Sequence, residues 1–343
     1  MDDRGMKRMR ILGLLDAIGQ EALDLRSPSA LAWYLEGARV TVSPVGDPVV
    51  AVRVDRLGDR VFVYANELER LVAEELPPGL DVTPVPWHRP LLDRSGAAQE
   101  AAFEHEVRAA RTSLLPAELE RYRGLCTDAA RVVTEVASTA RPKHTEREIA
   151  GRVAGSLASL GVEPLVVLVA GASRVLARHP LPTDARLGDR LMITVSARRH
   201  GMFTNLTRWV HFGKVDKVLA DRLAALRRVE ADAFAATRIG RNLSSVLADI
   251  STAYPRHGFS PDEWTRHHQG GPTGYAGRDP RATLETFDRL GAPQPFAWNP
   301  TAPGVKIEDT VLLSSSGLEV LTVDSRWPSL EVAGLDRPIA LVP

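Results

Sequence analysis

The sequence predicts an α/β chain of the α+β type, built as two domains. Helix-period and strand-like segments both occur. Those of residues 1–112 form a helix, a short meander and another helix, and a fresh long helix starts at Leu115-Pro116-Ala117-Glu118. The chain's 343 residues, 44% hydrophobic and 25% charged, are enough for two cored domains of ordinary globular composition. The expected boundary divides residues 1–112 from residues 113–343.

Ile11, Leu14, Leu15, Ile18 and Leu23 recur at helical spacing, so Met9 to Leu23 reads as an amphipathic helix. A second helix over Ser29 to Leu35 ends in Glu36-Gly37. Val49 to Val54 and Val61 to Tyr64 read as strands around Asp55-Arg56-Leu57-Gly58-Asp59, a hairpin signal. Glu67 to Leu76 reads as helix and stops at Pro77-Pro78-Gly79. In the second domain a helix runs from Leu115 through Val136. Thr145 and Glu148 are spaced as a capping box before the stripe Ile149, Val153, Leu157 and Leu160, which Gly161 closes. Strands follow at Leu165 to Val169, Arg190 to Val195 and Val311 to Leu313, with a helix near Lys214 to Thr237. Ser314-Ser315-Ser316-Gly317 suits a hairpin turn. Gly- and Pro-rich connections at 269–280 and 291–304 are long enough to carry function.

Composition excludes several classes. Lys+Arg and Asp+Glu both number 43, so no net charge draws the protein to nucleic acid or to a membrane. Cys126 stands alone, which excludes an internal disulfide and reads as a core residue. The first residues hold no apolar stretch of signal-peptide length, and no run approaches the roughly 18 apolar residues of a membrane span. A cytoplasmic protein is the expectation. Walker loops, Gly-x-Ser-x-Gly elbows and Cys-x-x-Cys pairs do not occur. Trp33, Trp87, Trp264, Trp298 and Trp327 read as core or pocket wall, without the basic stripe of a nucleic-acid surface.

Three stretches carry the chemistry. The first is His179-Pro180-Leu181-Pro182, then Leu187-Gly188-Asp189 and Ile193 to Arg208. The second is His267-His268-Gln269-Gly270-Gly271-Pro272-Thr273-Gly274-Tyr275. The third runs from Phe296 through Lys306-Ile307-Glu308-Asp309 to Leu321-Thr322. In order and spacing they resemble the creatinase/aminopeptidase P superfamily, the pita-bread metallopeptidases. The resemblance implies a small creatinase-type N-terminal domain and a C-terminal domain with a curved, largely antiparallel sheet covered by helices. It also implies a homodimer. At the family's five metal-ligand positions this chain carries Thr194, Asn205, Gly271, Asn299 and Glu308, with Arg278-Asp279 at its His-Glu pair. A slip of one or two near Gly271 would offer Gln269 or His268 instead.

Three carboxylates and an imidazole are thereby missing. A pair of dications needs shared carboxylates to offset lost hydration, so the expectation is no bound metal and no cofactor. The resemblance assigns catalysis to His179 and Glu308: in creatinase, a metal-independent relative, the matching histidine is the general base. Thr194, Asn205, His267, His268, Gly271, Arg278 and Asn299 would hold the substrate. Arg178, Arg198, Arg199, Arg208, Arg266 and Arg278 crowd the same segments, which would favour an anionic substrate group if Arg266 or Arg278 faces the pocket. Plainer roles stand beside these: Asn205 and Asn299 as buried amides satisfying backbone groups, Glu308 as the partner of Lys306 or an arginine, His179 as a structural histidine at a turn. The leading expectation is a metal-independent enzyme using a His acid/base on a small amino-acid-derived or short-peptide substrate. C–N hydrolysis is favoured, with elimination or isomerisation open. The alternatives are an inactive pseudo-peptidase that binds a peptide, metabolite or protein, and a conventional Xaa-Pro-type metallopeptidase.

Overall fold

A computed structural model describes residues 3–93 and 96–343. By internal contacts the chain forms two units, Met1–Arg121 with His200–Met202, and Tyr122–Arg199 with Phe203–Pro343. The first unit contains α1 (Asp3–Ile18), β1 (Ala22–Leu25), α2 (Pro28–Tyr34), β2 (Val50–Asp55), β3 (Asp59–Tyr64), α3 (Leu68–Glu74), β4 (Asp81–Val85), β5 (Ala98–Gln99) and α4 (Glu104–Thr112). Its sheet has the order β4-β3-β2-β1-β5. The β2–β3 hairpin closes because Asp55 Oδ1 accepts from the backbone N–H of Leu57 and Gly58, 2.8 and 3.0 Å away.

Leu23 belongs to β1 and not to the first helix. The helix stops at Gly19, whose φ of 66° suits glycine, and Gln20 N donates back to Leu15 O at 3.0 Å. Trp33 is fully buried, whereas Trp87, read from sequence as core or pocket wall, is 73% exposed.

Next along the chain is α5 (Pro116–Thr139). There follow α6 (Glu146–Ala158), β6 (Glu163–Gly171), β7 (Arg190–Arg199), β8 (Met202–His211), α7 (Lys217–Ala236) and α8 (Leu243–Arg256). The strands then resume as β9 (Gly270–Pro272), β10 (Gln294–Trp298), β11 (Thr301–Ala302), β12 (Val305–Lys306), β13 (Asp309–Ser314), β14 (Gly317–Val320), β15 (Ser329–Val332) and β16 (Leu335–Pro338). The capping box of α6 forms as its spacing predicts, with both Thr145 and Glu148 engaged. Strands β6-β7-β8 make one sheet and β14-β13-β10-β9 another. Thr207 N donates to Glu308 O at 2.8 Å, joining β8 to the segment that enters β13.

Leu226, Val229, Val246, Phe296, Trp298 and Val311 anchor the apolar core of this unit, where α7 packs on α8 and β12 and residues of both helices share one cluster with β10 and β13. A charged network is buried beside it. Arg208 donates to Asp309 Oδ1 (2.9 Å) and Thr322 O (2.6 Å), and Arg337 bridges Asp309 and Glu230. Arg208 is therefore fully used in holding β8 to β13. Cys126 is buried too, and burial pushes its thiol up to about 12, out of nucleophilic range. Among the described residues no helix is long and apolar enough to cross a membrane.

Candidate functional site

His179 lies on the connection between β6 and β7, and two buried carboxylates hold that connection in place. Glu146, at the start of α6, accepts from Gly171 N (2.9 Å), Thr183 N (3.0 Å) and Thr183 Oγ1 (2.7 Å), and pairs with Arg174. Arg178, the residue before His179, pairs with Glu263 and donates to Thr301 Oγ1 at 3.3 Å. Glu263 opens the short 3₁₀ turn Glu263–Arg266 that leads into His267. One ion pair thus ties the His179 segment to the His267-His268 segment. Gln269 braces the second segment from behind: its amide donates to Trp264 O (2.9 Å) and His267 O (2.7 Å), and Tyr254 Oη donates to its Oε1 at 2.8 Å.

The three imidazoles meet as a result. His179 Nε2 and His267 Nε2 are 3.0 Å apart, and the His267 and His268 rings stack at 4.4 Å between centroids. One ring nitrogen from each of His179, His267 and His268 falls within 4.8 Å of the others. The hydrogen bonds fix the tautomers. His267 Nδ1 stands 2.6 Å from His268 O, which can only accept, so Nδ1 carries the proton. Neutral His267 therefore accepts at Nε2, His179 donates from its Nε2, and the His179 lone pair is left on Nδ1. All three rings favour the neutral form. Desolvation and Lys306 lower the His179 pKa against the pull of Glu308. Burial, Lys306 and the neighbouring imidazoles take His267 to about 3, and burial with Arg278 and Arg281 takes His268 to about 4.

Glu308 is the carboxylate beside this cluster, 3% exposed. Arg278 donates to its Oε1 at 2.7 Å, and Lys306 Nζ lies 3.3 Å from Oε2. Thr207 Oγ1 approaches the same oxygen at 3.4 Å and meets Thr194 Oγ1 at 2.9 Å. Burial would raise the Glu308 pKa, but Lys306 and Arg278 outweigh it and hold the carboxyl below its ordinary value. Lys306 is the partner of Glu308, as one sequence alternative had it, and it lies inside the site. Its signal was position: two residues before Glu308 in extended chain, it shares that side chain's face.

Asn205, on β8, is bracketed by Thr310: its N–H donates to Thr310 Oγ1 (2.8 Å), whose hydroxyl donates to Asn205 O (3.0 Å). Trp298 pairs with Asp309 at the end of the β10–β13 ladder, so Asn299 and Glu308 leave it side by side. Both asparagines are buried, yet among the described residues Asn205 Nδ2 and Asn299 Oδ1 have no hydrogen-bond partner, nor do His268 Nδ1 and Arg278 Nε. At Gly271 no side chain fits as the backbone stands. Its φ is 139°, and a Cβ would lie 2.8 Å from Pro280 O and 3.0 Å from Ala282 N. Of the arginines expected to crowd the site, Arg198 pairs with Glu163 (2.6 Å), Arg199 with Asp128 (2.7 Å), and Arg266, half-exposed, approaches Glu263 at 3.5 Å. Arg278 faces the site, with its charge directed at Glu308.

These positions do not fit a pair of metal dications. A lone carboxylate already neutralised by a guanidinium and an ammonium is a poor ligand, and no imidazole can be added at Gly271 without moving backbone.

The sequence profile of metallopeptidase family M24 matches residues 120–315. An uncharacterized peptidase of Staphylococcus saprophyticus is 21% identical over 244 residues, covering 68% of this chain and 69% of the relative. The prolidase of Pyrococcus horikoshii superposes with a TM-score of 0.77 at 18% identity, over 93% of this chain and 99% of that one. Dipeptidase PepE of Mycobacterium ulcerans gives 0.77 at 17% identity, over 99% and 97%. The mixed α/β architecture, with its largely antiparallel sheets, is the pita-bread fold of these proteins.

Proposed function

We propose, from the premise that the chain belongs to metallopeptidase family M24, that it is an enzyme of that family working without the family's metal pair. The observation that carries this reading is the state of Glu308, held as an anion by Arg278 and Lys306 where a metal pair would need a free carboxylate. His179 is the general acid/base. Its Nε2–H rests on His267, whose own Nδ1–H rests on His268 O, so the ring is oriented with Nδ1 ready to take a proton from water and return it to a leaving nitrogen. Glu308 positions the substrate by accepting from its N–H.

Unpartnered buried polar groups cost about 1–3 kcal/mol each, which supports a ligand that completes them. Asn205 Nδ2 and Arg278 Nε offer protons, and Asn299 Oδ1 accepts one. A small amino-acid-derived molecule, with a carboxylate or carbonyl for the donors and an N–H for the acceptor, matches that set. Hydrolysis of its C–N bond is the reaction class.

The test is turnover by chelator-treated protein on N-acyl amino acids, amidines and dipeptides. Activity that survives metal removal and is lost in His179→Ala supports the reading. Activity seen only after adding manganese or cobalt overturns it in favour of Xaa-Pro dipeptide cleavage, the reading suggested by the prolidases that share the fold. Saturable binding without turnover overturns it in favour of a binding protein.

A further inference from the structure

The imidazole cluster has a use that proton transfer does not exhaust. We infer that His179, His267 and His268 form a binding site for one divalent transition-metal ion of the zinc, cobalt and nickel class, built without Thr194, Asn205, Gly271, Asn299 or Glu308. The residues come from two segments, the β6–β7 connection and the run into β9, clamped together by the Arg178–Glu263 ion pair.

The spacing suits such an ion. With metal–nitrogen bonds of about 2.0–2.1 Å, two imidazole nitrogens on one ion lie about 2.9 Å apart at a right angle and about 3.3 Å apart at a tetrahedral one. His179 Nε2 and His267 Nε2 are 3.0 Å apart. The third nitrogen is within 4.8 Å, and His268, whose ring stacks on His267, turns out of that stack to complete the set. The His267 Nδ1–H bond to His268 O is the outer hydrogen bond that aims a ligating imidazole and fixes its lone pair on Nε2. On binding, the single proton between the two Nε2 atoms moves to His179 Nδ1, and no net proton need be lost.

The surrounding charge does not forbid the ion. Lys306 and Arg278 both face Glu308 at ion-pair distance, Arg281 is a further cation near His268, and sets of three neutral imidazoles hold zinc without any carboxylate. The positive surroundings instead favour an anion at the open coordination position. Because the His179 Nε2 lone pair is taken by the ion, a loaded site withdraws His179 from its hydrogen bond to His267, and metal occupancy and acid/base turnover exclude each other.

The experiment needs no substrate, so its failure leaves the acid/base reading untouched. Tag-free, chelator-stripped protein is titrated with cobalt(II) chloride near neutral pH and followed by visible absorption. The expected result is a saturable band at one equivalent, with affinity lowered at least about tenfold in both His179→Gln and His268→Gln. His179 is exposed, so its variant keeps the fold, which circular dichroism verifies. Absence of the band, or an unchanged midpoint in both variants, overturns the proposal.

Discussion

Glu308 is the residue on which the site turns, and its environment makes a quantitative claim. It is buried against two cations, so Glu308→Gln leaves Arg278 and Lys306 facing each other without a countercharge. Losing one member of a buried ion pair costs about 3–5 kcal/mol. Equilibrium denaturation should show a loss of that order, and a much smaller one when Lys306→Met is added; equal losses in the single and double variants would refute the ion-pair account. The pH dependence has a definite sign. The folded pKa is depressed, so the Glu308 contribution is complete above the unfolded carboxylate value and disappears as the pH falls through the lower folded one. Stability should therefore drop in acid, and the Glu308→Gln variant should show a flatter acid limb.

At the scale of elements, the Arg178–Glu263 ion pair joins the β6–β7 connection to the 3₁₀ turn before β9, beside the His179–His267 hydrogen bond. Glu263→Gln should weaken it by about 1.5–3 kcal/mol, the range for hydrogen bonds to charged groups. The reporter is amide hydrogen exchange: residues 174–181 and 267–271 should lose protection together, while α5 keeps its own. Unchanged exchange in both segments would mean that other contacts hold the imidazoles together. This joint was not legible in the sequence, because Arg178 and Glu263 lie 85 residues apart and neither belongs to a motif. The α6 capping box was legible, since its three-residue spacing is local. Strand β8 was missed as an element because it is buried along nearly its whole length, on both faces, so polar Thr204, Asn205, Thr207 and Arg208 erase the alternation that marks a half-exposed strand. The first helix was read too long for the opposite reason. Leu23 keeps the helical spacing, yet Gly19 ends the helix four residues earlier.

On the scale of the whole second unit, the proposal is that the pita-bread frame keeps the positions of a metal centre while their chemistry has changed. Thr194, Asn205 and Asn299 are all buried, on β7, on β8 and just beyond β10, and the Thr194–Thr207–Glu308 contacts tie the first strands to the last ligand position. If the frame survived the loss of its ligands, then Thr194→Asp, Asn205→Asp and Asn299→Glu together should restore cation binding without any change at Gly271. Three added carboxylates, buried and close together, repel one another and are poorly solvated. The triple variant should therefore melt well below the wild type in chelator. Manganese(II) should recover much of that loss, because a ligand bound only to the folded state stabilises by RT ln(1 + [L]/Kd), about 2.7 kcal/mol at a hundredfold excess over Kd. Wild type should show no comparable gain, since Arg278 and Lys306 already neutralise its single carboxylate. A triple variant indifferent to manganese would mean that these side chains do not converge, and that the alignment on which the vacated metal site rests is wrong.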